Sequence, residues 1–477
     1  MDLLGGNFLL LYFHGLKIEV LIRRLEALEK KVDYLEKENA FLKERLAKYE
    51  NPKNSRNSSL PPSKDENRPK TNQSLRKSSG KSVGGQKGRK GKTLEMTATP
   101  DKIVELQPDY CNNCGLSLSE VAATKKQSRQ IIDIPPIKAI FTEYQTFSKA
   151  CSCGCITVSD FPKGVNTSVS YGENIEALVA YFHARQYLPF ARMKETLNDA
   201  FGIPISEGGI HCLLQRFAQK TTPIYQMIKQ RVQDSKVIGT DETGIKVNGN
   251  KHWFWTWQTP NLTFITLSNN RGSETIDREF PQGFPKSTLV HDGWRAQLKT
   301  VSKDHQSCLA HLQRTLNYLD ERYPKNIWAT KFIKLLHDSL ILKKKLDFQS
   351  DALRLPKEDK QLTERASIVQ RMEYLLDNPP IQKHKELYTF YKRMRKERQH
   401  LFTFLFIAEV PPDNNASERA IRNVKVKQKI SGQFKAEQTA HNFAKIRSVI
   451  DTTIKNGLNV LQALAIVAKF EFDIETD

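Results

Sequence analysis

Between Val237 and Trp294 the chain leaves helical spacing for runs of β-branched and aromatic residues. VIGTDETGIKV, HWFWTWQT and LTFITLSNN follow one another, separated by Asn248-Gly249 and Pro260-Asn261, and a fourth apolar run covers Thr288 to His291. Short runs of this composition between turn dipeptides predict strands. A fifth strand is expected just before the helix that HQSCLAHLQR (305–314) enters. The pattern predicts that the first strand ends at Asp241 and that the fourth delivers Asp292 in the same way. A carboxylate at the end of a buried strand is held rigidly where solvent and substrate reach it. Two of them on neighbouring strands can share Mg²⁺, a hard cation that takes oxygen ligands. Glu242, next along the strand, alternates to the opposite face.

Upstream the spacing is heptad. Leu21, Leu28, Leu35 and Leu42 recur every seven residues, interleaved with Leu25, Val32, Asn39 and Leu46. Over 17–50 this predicts a leucine-zipper helix with one polar residue at an a position, a pattern that favours a parallel homodimer. The competing reading is an amphipathic helix packed on its own chain. Residues 51–95 then lose the pattern and are rich in Pro, Ser, Gly and Lys. From 51 to 92 there are twelve Lys or Arg against Asp65 and Glu66. Such a tract cannot bury a core and reads as a disordered basic linker able to follow a phosphate backbone.

Charge and cysteine usage extend this picture. The 477 residues carry a formal net charge of +21, which points to a polyanionic partner, with nucleic acid first. No apolar run is long enough to span a bilayer, and Phe8–Phe13 lacks the flanks of a signal peptide. The chain is therefore expected in the cytoplasm, with its seven cysteines reduced. Cys111-Asn-Asn-Cys114-Gly and Cys151-Ser-Cys153-Gly-Cys155 suit a structural tetrahedral Zn²⁺ site within a module at 96–165. The favoured ligands are Cys111, Cys114, Cys151 and Cys153, with Cys155 as a substitute; the alternative is small buried hydrophobes.

Residues 170–232 read as a helical domain. Gly202 and Pro204 break it into helix, turn, helix, and Ser206 is placed to cap the second helix. Both a DNA-reading unit and an ordinary helical hairpin fit that pattern. A charged helical insertion is expected at about 320–410 within a core of 233–434, and two further helices at 435–477. In PPDNNASERAIRNVKVKQKISGQF (411–434), Asn415 or Ser417 can cap a helix that carries Glu418 in its first turn. Glu418 would be a third acidic ligand, with Arg422 one turn on and Lys425 following on that side.

NSRNSSLPPSKD, GGQKGRKG, YLPFARMKETLNDAFGIPIS, GTDETGIKV, LVHDGW, CLAHLQR and DNNASERAIRNVKVKQKISGQF together make the chain resemble the insertion-sequence-66 transposases over almost its full length. The resemblance implies an α+β multidomain protein whose ribonuclease-H-like mixed α/β core holds a DDE triad, matching here at Asp241, Asp292 and Glu418. It implies a two-ion Mg²⁺ or Mn²⁺ site, in-line cleavage and strand transfer on terminal inverted repeats and target DNA, and possible accessory transposition proteins. His311, Arg314, Arg419, Arg422 and Lys425 are the expected phosphate contacts. The competing classes are a non-catalytic DNA-binding protein and a metal-dependent nuclease without strand transfer.

Overall fold

The computed structural model describes residues 5–50, 52–54, 94–135, 137–162, 164–165, 167–346 and 360–470. The basic linker expected at 51–95 lies outside them, apart from 52–54 and 94–95. The chain separates into two compact units, one of Pro69–Glu143 with Leu197–Ile203 and one of the remainder.

A helix, α1 (Gly5–Glu50), opens the described chain. Its heptad residues Leu21, Leu25, Leu28, Val32, Leu35, Leu42 and Leu46 are each more than half exposed, so the stripe is not packed on its own chain. Strands β1 (Ser148–Ala150) and β2 (Ile156–Val158) form a small antiparallel ribbon across the second cysteine group. Three helices follow: α2 (Glu173–Ala184), α3 (Phe190–Phe201) and α4 (Glu207–Gln233). Ser206 caps α4 by accepting from Gly209 N at 3.0 Å.

The sheet comes next in sequence: β3 (Val237–Val247), β4 (Asn250–Gln258), β5 (Thr263–Ser268), then α5 (Ser273–Glu279), β6 (Phe284–His291), α6 (Arg295–Leu298) and β7 (Ser302–Ser307). Its order is β5-β4-β3-β6-β7, with the first three strands antiparallel and β6 and β7 parallel to β3. Asn248 (φ 45°) and Gly249 (φ 78°) make the tight β3–β4 turn that an Asn-Gly pair specifies. Trp255, Trp257, Phe264, Phe280 and Phe284 build the adjoining aromatic core with Ile228 and Val232 of α4.

One expectation is corrected here. Asp241 does not end its strand, because the β3–β4 hairpin pairs continuously from Gly239↔Gln258 to Val247↔Asn250. The parallel partner β6, however, pairs with β3 only at Val237–Gly239. Asp241 is thus mid-strand on one side and beyond its neighbour on the other, which leaves the same kind of opening.

After β7 come α7 (Leu309–Arg322), α8 (Ile327–Lys345), α9 (Lys360–Asp377) and α10 (Lys385–Glu397), closed by two 3₁₀ turns. These helices share a core of their own around Trp328, Phe332, Phe390 and Leu401 that reaches Val290 of β6. The chain then returns as α11 (Asn415–Ser431), packed on β3 and β4, and ends its described part with α12 (Glu437–Lys455) and α13 (Val460–Ala468). α12 lies along β5: Ser448 Oγ accepts from Ile265 N at 2.9 Å and Thr452 Oγ1 from Thr263 N at 3.1 Å.

Candidate active site

Three elements deliver the acidic residues to one place. Asp241 sits in β3, Asp292 follows the last residue of β6, and Glu418 lies in the first turn of α11. The join between α11 and β3 is tight. Asn414 Nδ2 donates to Thr240 O at 2.7 Å, Ser417 Oγ donates to Asn414 Oδ1 at 2.6 Å, and Cys308 Sγ accepts from Asn414 N at 3.2 Å. A side chain at Gly239 would collide with this knot, since a Cβ there would lie 2.6 Å from Ser417 Oγ and 2.9 Å from Asn414 Oδ1. Asn414, rather than Asn415 or Ser417, is the N-cap residue of α11, and its side chain makes no capping hydrogen bond. It is spent on β3 instead, and Ser417 is spent on it.

Asp241 is partly buried, and desolvation followed by the charges of Glu242, Asp292 and Glu418 holds its carboxyl well above the usual range. Glu418 has one buried oxygen, Oε1, without a hydrogen-bond partner. His311 Nδ1 and Arg314 Nη1 approach that oxygen no nearer than 3.8 and 3.9 Å. Arg422 Nη2 stands 3.7 Å from the other oxygen. Burial lowers the His311 pKa, and Asp292 and Glu418 both oppose that shift. The structure thus brings Asp241, Asp292, Glu418, His311 and Arg314 into one neighbourhood, with Arg422 at its rim. Among the described residues no group of three or more His, Cys, Asp or Glu side chains is gathered closely enough to hold a metal ion.

A desolvated carboxylate among like charges, beside an unpartnered carboxylate oxygen, is a chemical setting that a divalent cation satisfies. The other expected phosphate contacts divide. Arg419 is exposed and close enough to Lys455 to oppose its protonation. Lys425 Nζ donates to Gly244 O at 2.5 Å, tying α11 to β3.

Several residues of the site have no signal in the sequence pattern. Glu242 faces away from α11, as strand alternation requires, but its environment is not inert. Burial and then Asp292 raise its pKa to about 7, against Arg271. Arg393, from α10, donates to Asp292 O at 3.3 Å and is braced by Glu397. A Cβ on Gly293 (φ +85°) would lie only 1.9 Å from Arg393 Nη2.

The cysteine groups fall in different compact units and are local turns of similar build. In one, Gly115 N donates to Cys111 O at 2.9 Å and Cys111 N to Leu116 O at 2.8 Å. In the other, Gly154 N donates to Cys151 O at 2.9 Å and Cys151 N to Cys155 O at 2.8 Å. Gly115 and Gly154 both take the left-handed conformation, with φ +75° and +85°. Backbone N–H groups of Cys114 and Asn113 lower the Cys111 pKa, and that of Cys155 lowers the Cys153 pKa. Amide hydrogens aimed at a sulfur favour the thiolate, the form that ligates metal.

Two family models match the chain. One, described as Transposase IS66 family, covers residues 168–442, more than half the chain and all three carboxylates. The other, a family of unknown function (DUF6444), covers residues 16–95. No curated protein matches. Among the described residues no helix is long and apolar enough to cross a membrane.

Proposed function

The chain belongs to the IS66 family of transposases, enzymes that cut and join DNA, and from that premise we propose that Asp241, Asp292 and Glu418 are a DDE triad for metal-dependent cleavage and strand transfer. The observation that carries the reading is the partly buried Asp241 carboxylate, burdened by Asp292 and Glu418, with Glu418 Oε1 lacking a hydrogen-bond partner in the same neighbourhood. The strand order β5-β4-β3-β6-β7 supports a ribonuclease-H-like core.

The three carboxylates would hold Mg²⁺ or Mn²⁺, which when bound supplies Lewis-acid stabilisation of phosphate oxygens and lowers the pKa of water. The protein's own part is positioning and charge. Asn414 and Ser417 fix the first turn of α11 against β3, so Glu418 and Asp241 keep their relative places. Arg314, partly exposed, and Arg422, exposed, stand beside Glu418 with guanidinium groups suited to the oxygens of a phosphodiester. His311, held neutral by burial, is a hydrogen-bonding partner for a phosphate or an attacking hydroxyl. A 3′-hydroxyl freed by cleavage attacks a target phosphodiester in line and displaces the target strand's 3′-oxygen, with no covalent protein intermediate.

Element ends and target DNA are the proposed partners, alongside the α1-mediated homodimer, the structural Zn²⁺ module and any accessory transposition proteins. The test uses a plasmid carrying the gene with its native flanks. Asp241→Ala, Asp292→Ala and Glu418→Ala should each abolish Mg²⁺-dependent cleavage and joining, while DNA affinity survives through the basic amino-terminal segment. Losses should be non-additive, because the residues act as a unit. Wild-type cleavage by Glu418→Ala would refute the triad. Cleaved but never joined products would favour a nuclease without strand transfer.

A further inference from the structure

The turn that carries Asp292 hangs from a carboxylate on the far face of β3. Glu242 has a side chain only 1 % exposed. Its Oε1 accepts from Arg271 Nε at 2.7 Å and lies 2.6 Å from Arg271 Nη2, and its Oε2 accepts from Gln297 Nε2 at 2.9 Å. Both partners bear on the Asp292 turn. The Arg271 guanidinium lies over the Trp294 ring, 4.0 Å from its centroid, and Trp294 Nε1 donates back to Arg271 O at 3.1 Å. Trp294 N donates to Asp292 Oδ1 at 3.1 Å. Gln297 belongs to α6, the short helix that begins directly after Trp294. Glu242 therefore grips the segment Asp292–Gln297 at two points, once through a stacked cation and once through a helix side chain.

Glu242 is buried while the Arg271 side chain is 42 % exposed, and a buried carboxylate that loses its partner costs more than the pair contributes. We propose that Glu242 is a positioning residue for Asp292, acting through Arg271 and Trp294 to fix the orientation of the Asp292 carboxylate. This rests on the reading of Asp292 as a metal ligand. The chemistry of the grip is specific. Both Glu242 oxygens accept and both neighbours donate, so a glutamine at 242 loses the charge that pairs with Arg271 and keeps one acceptor, its NH₂ then needing the otherwise unpartnered Gln297 Oε1 to turn toward it. Gln297→Glu supplies that acceptor and restores the lost charge.

Two readouts on the full chain test this without DNA: Mn²⁺ affinity from the electron-spin-resonance signal of free Mn²⁺, and hydrogen–deuterium exchange of the peptide spanning 290–298 in metal-free protein. Glu242→Gln and Arg271→Met should each weaken Mn²⁺ binding about tenfold and speed exchange in that peptide. A rigid ligand lost to disorder costs this much where outer-sphere partners orient it. The double variant should be no weaker than either single one, and Glu242→Gln with Gln297→Glu should recover most of the affinity. Wild-type Mn²⁺ affinity in Glu242→Gln, or additive losses with Arg271→Met, would overturn the proposal while Asp292→Ala still abolishes binding. If Asp292→Ala binds Mn²⁺ as well as the wild type, the metal-site reading itself fails, and this proposal with it. Should Glu242→Gln not fold, Arg271→Met decides: unchanged affinity and exchange there refute the positioning role.

Discussion

Gly239→Ala is the sharpest probe of how α11 is seated on the sheet. The new Cβ would meet Gln258 Nε2 at 2.5 Å, Ser417 Oγ at 2.6 Å and Asn414 Oδ1 at 2.9 Å, where comfortable separations are about 3.5–4 Å. None of the three neighbours is idle. Ser417 donates to Asn414, Asn414 donates to Thr240 O, and Gln258 Oε1 accepts from Lys455 Nζ at 2.8 Å. Either α11 retreats by about 1 Å or these bonds break. Overpacking of this kind costs about 1–3 kcal/mol, and each lost hydrogen bond adds about 1 kcal/mol. Together they predict a loss of roughly 2–4 kcal/mol in urea denaturation. Catalysis should suffer more than stability: a shift near 1 Å at a reacting group costs about 10²-fold. The cleavage rate should therefore fall on the order of a hundredfold at temperatures where the variant is fully folded. Gly244→Ala is the control, because its Cβ finds nothing nearer than Lys251 Cε at 3.7 Å on the same strand. A Gly239→Ala protein that cleaves within about twofold of wild type would refute the claim that the Asn414–Ser417 knot sets the Glu418 position.

Three further outcomes are expected. Asp241 and Glu242 hold their protons more tightly folded than unfolded, Glu242 up to about 7. The contribution of these two groups to the stability of metal-free protein should fall as pH rises from about 4.5 through about 7, opposite in sign to that of His183, His291 and His305, whose pKa values burial lowers. Thermal melts of wild type against Glu242→Gln across that range isolate the Glu242 part, and added Mg²⁺ should reduce the Asp241 part. Elemental analysis of purified protein tests the proposed zinc module, with about one zinc per chain expected; a folded sample with near-zero zinc would dismiss it. Charged residues at both Leu28 and Leu35 should reduce the mass seen by light scattering to that of a monomer, and an unchanged mass would locate the dimer contact elsewhere.

The carboxylates were legible because local patterns carry them: a β-branched run before Asp241 and Asp292, and a helix-start pattern before Glu418. The sequence reading went astray where tertiary pairing decides. Asp241 is mid-strand because the hairpin outruns its parallel neighbour. Capping chemistry likewise predicted Asn415 or Ser417, yet the β3 carbonyl of Thr240 recruits the side chain of Asn414. The supporting cast left no trace in local spacing. Arg271 comes from the loop after β5, Gln297 from a four-residue helix, and Arg393 reaches Asp292 from α10 across 101 residues of chain. Only the folded chain brings such residues together.

The hydroxyls of Ser448 and Thr452 have a consequence beyond holding α12. β5 is the outermost strand of its side of the sheet, and all six of its residues are buried. An outer strand offers every second N–H to any extended peptide that comes alongside, and an apolar one invites self-association. Ser448 and Thr452 take up two of those groups, at Ile265 and Thr263, and the helix behind them bars the approach. A chain truncated before α12 would keep all three acidic residues but bare the strand TFITLS. Its failure should appear as sedimenting aggregate, with soluble, folded protein lost before any defect in DNA chemistry could be measured.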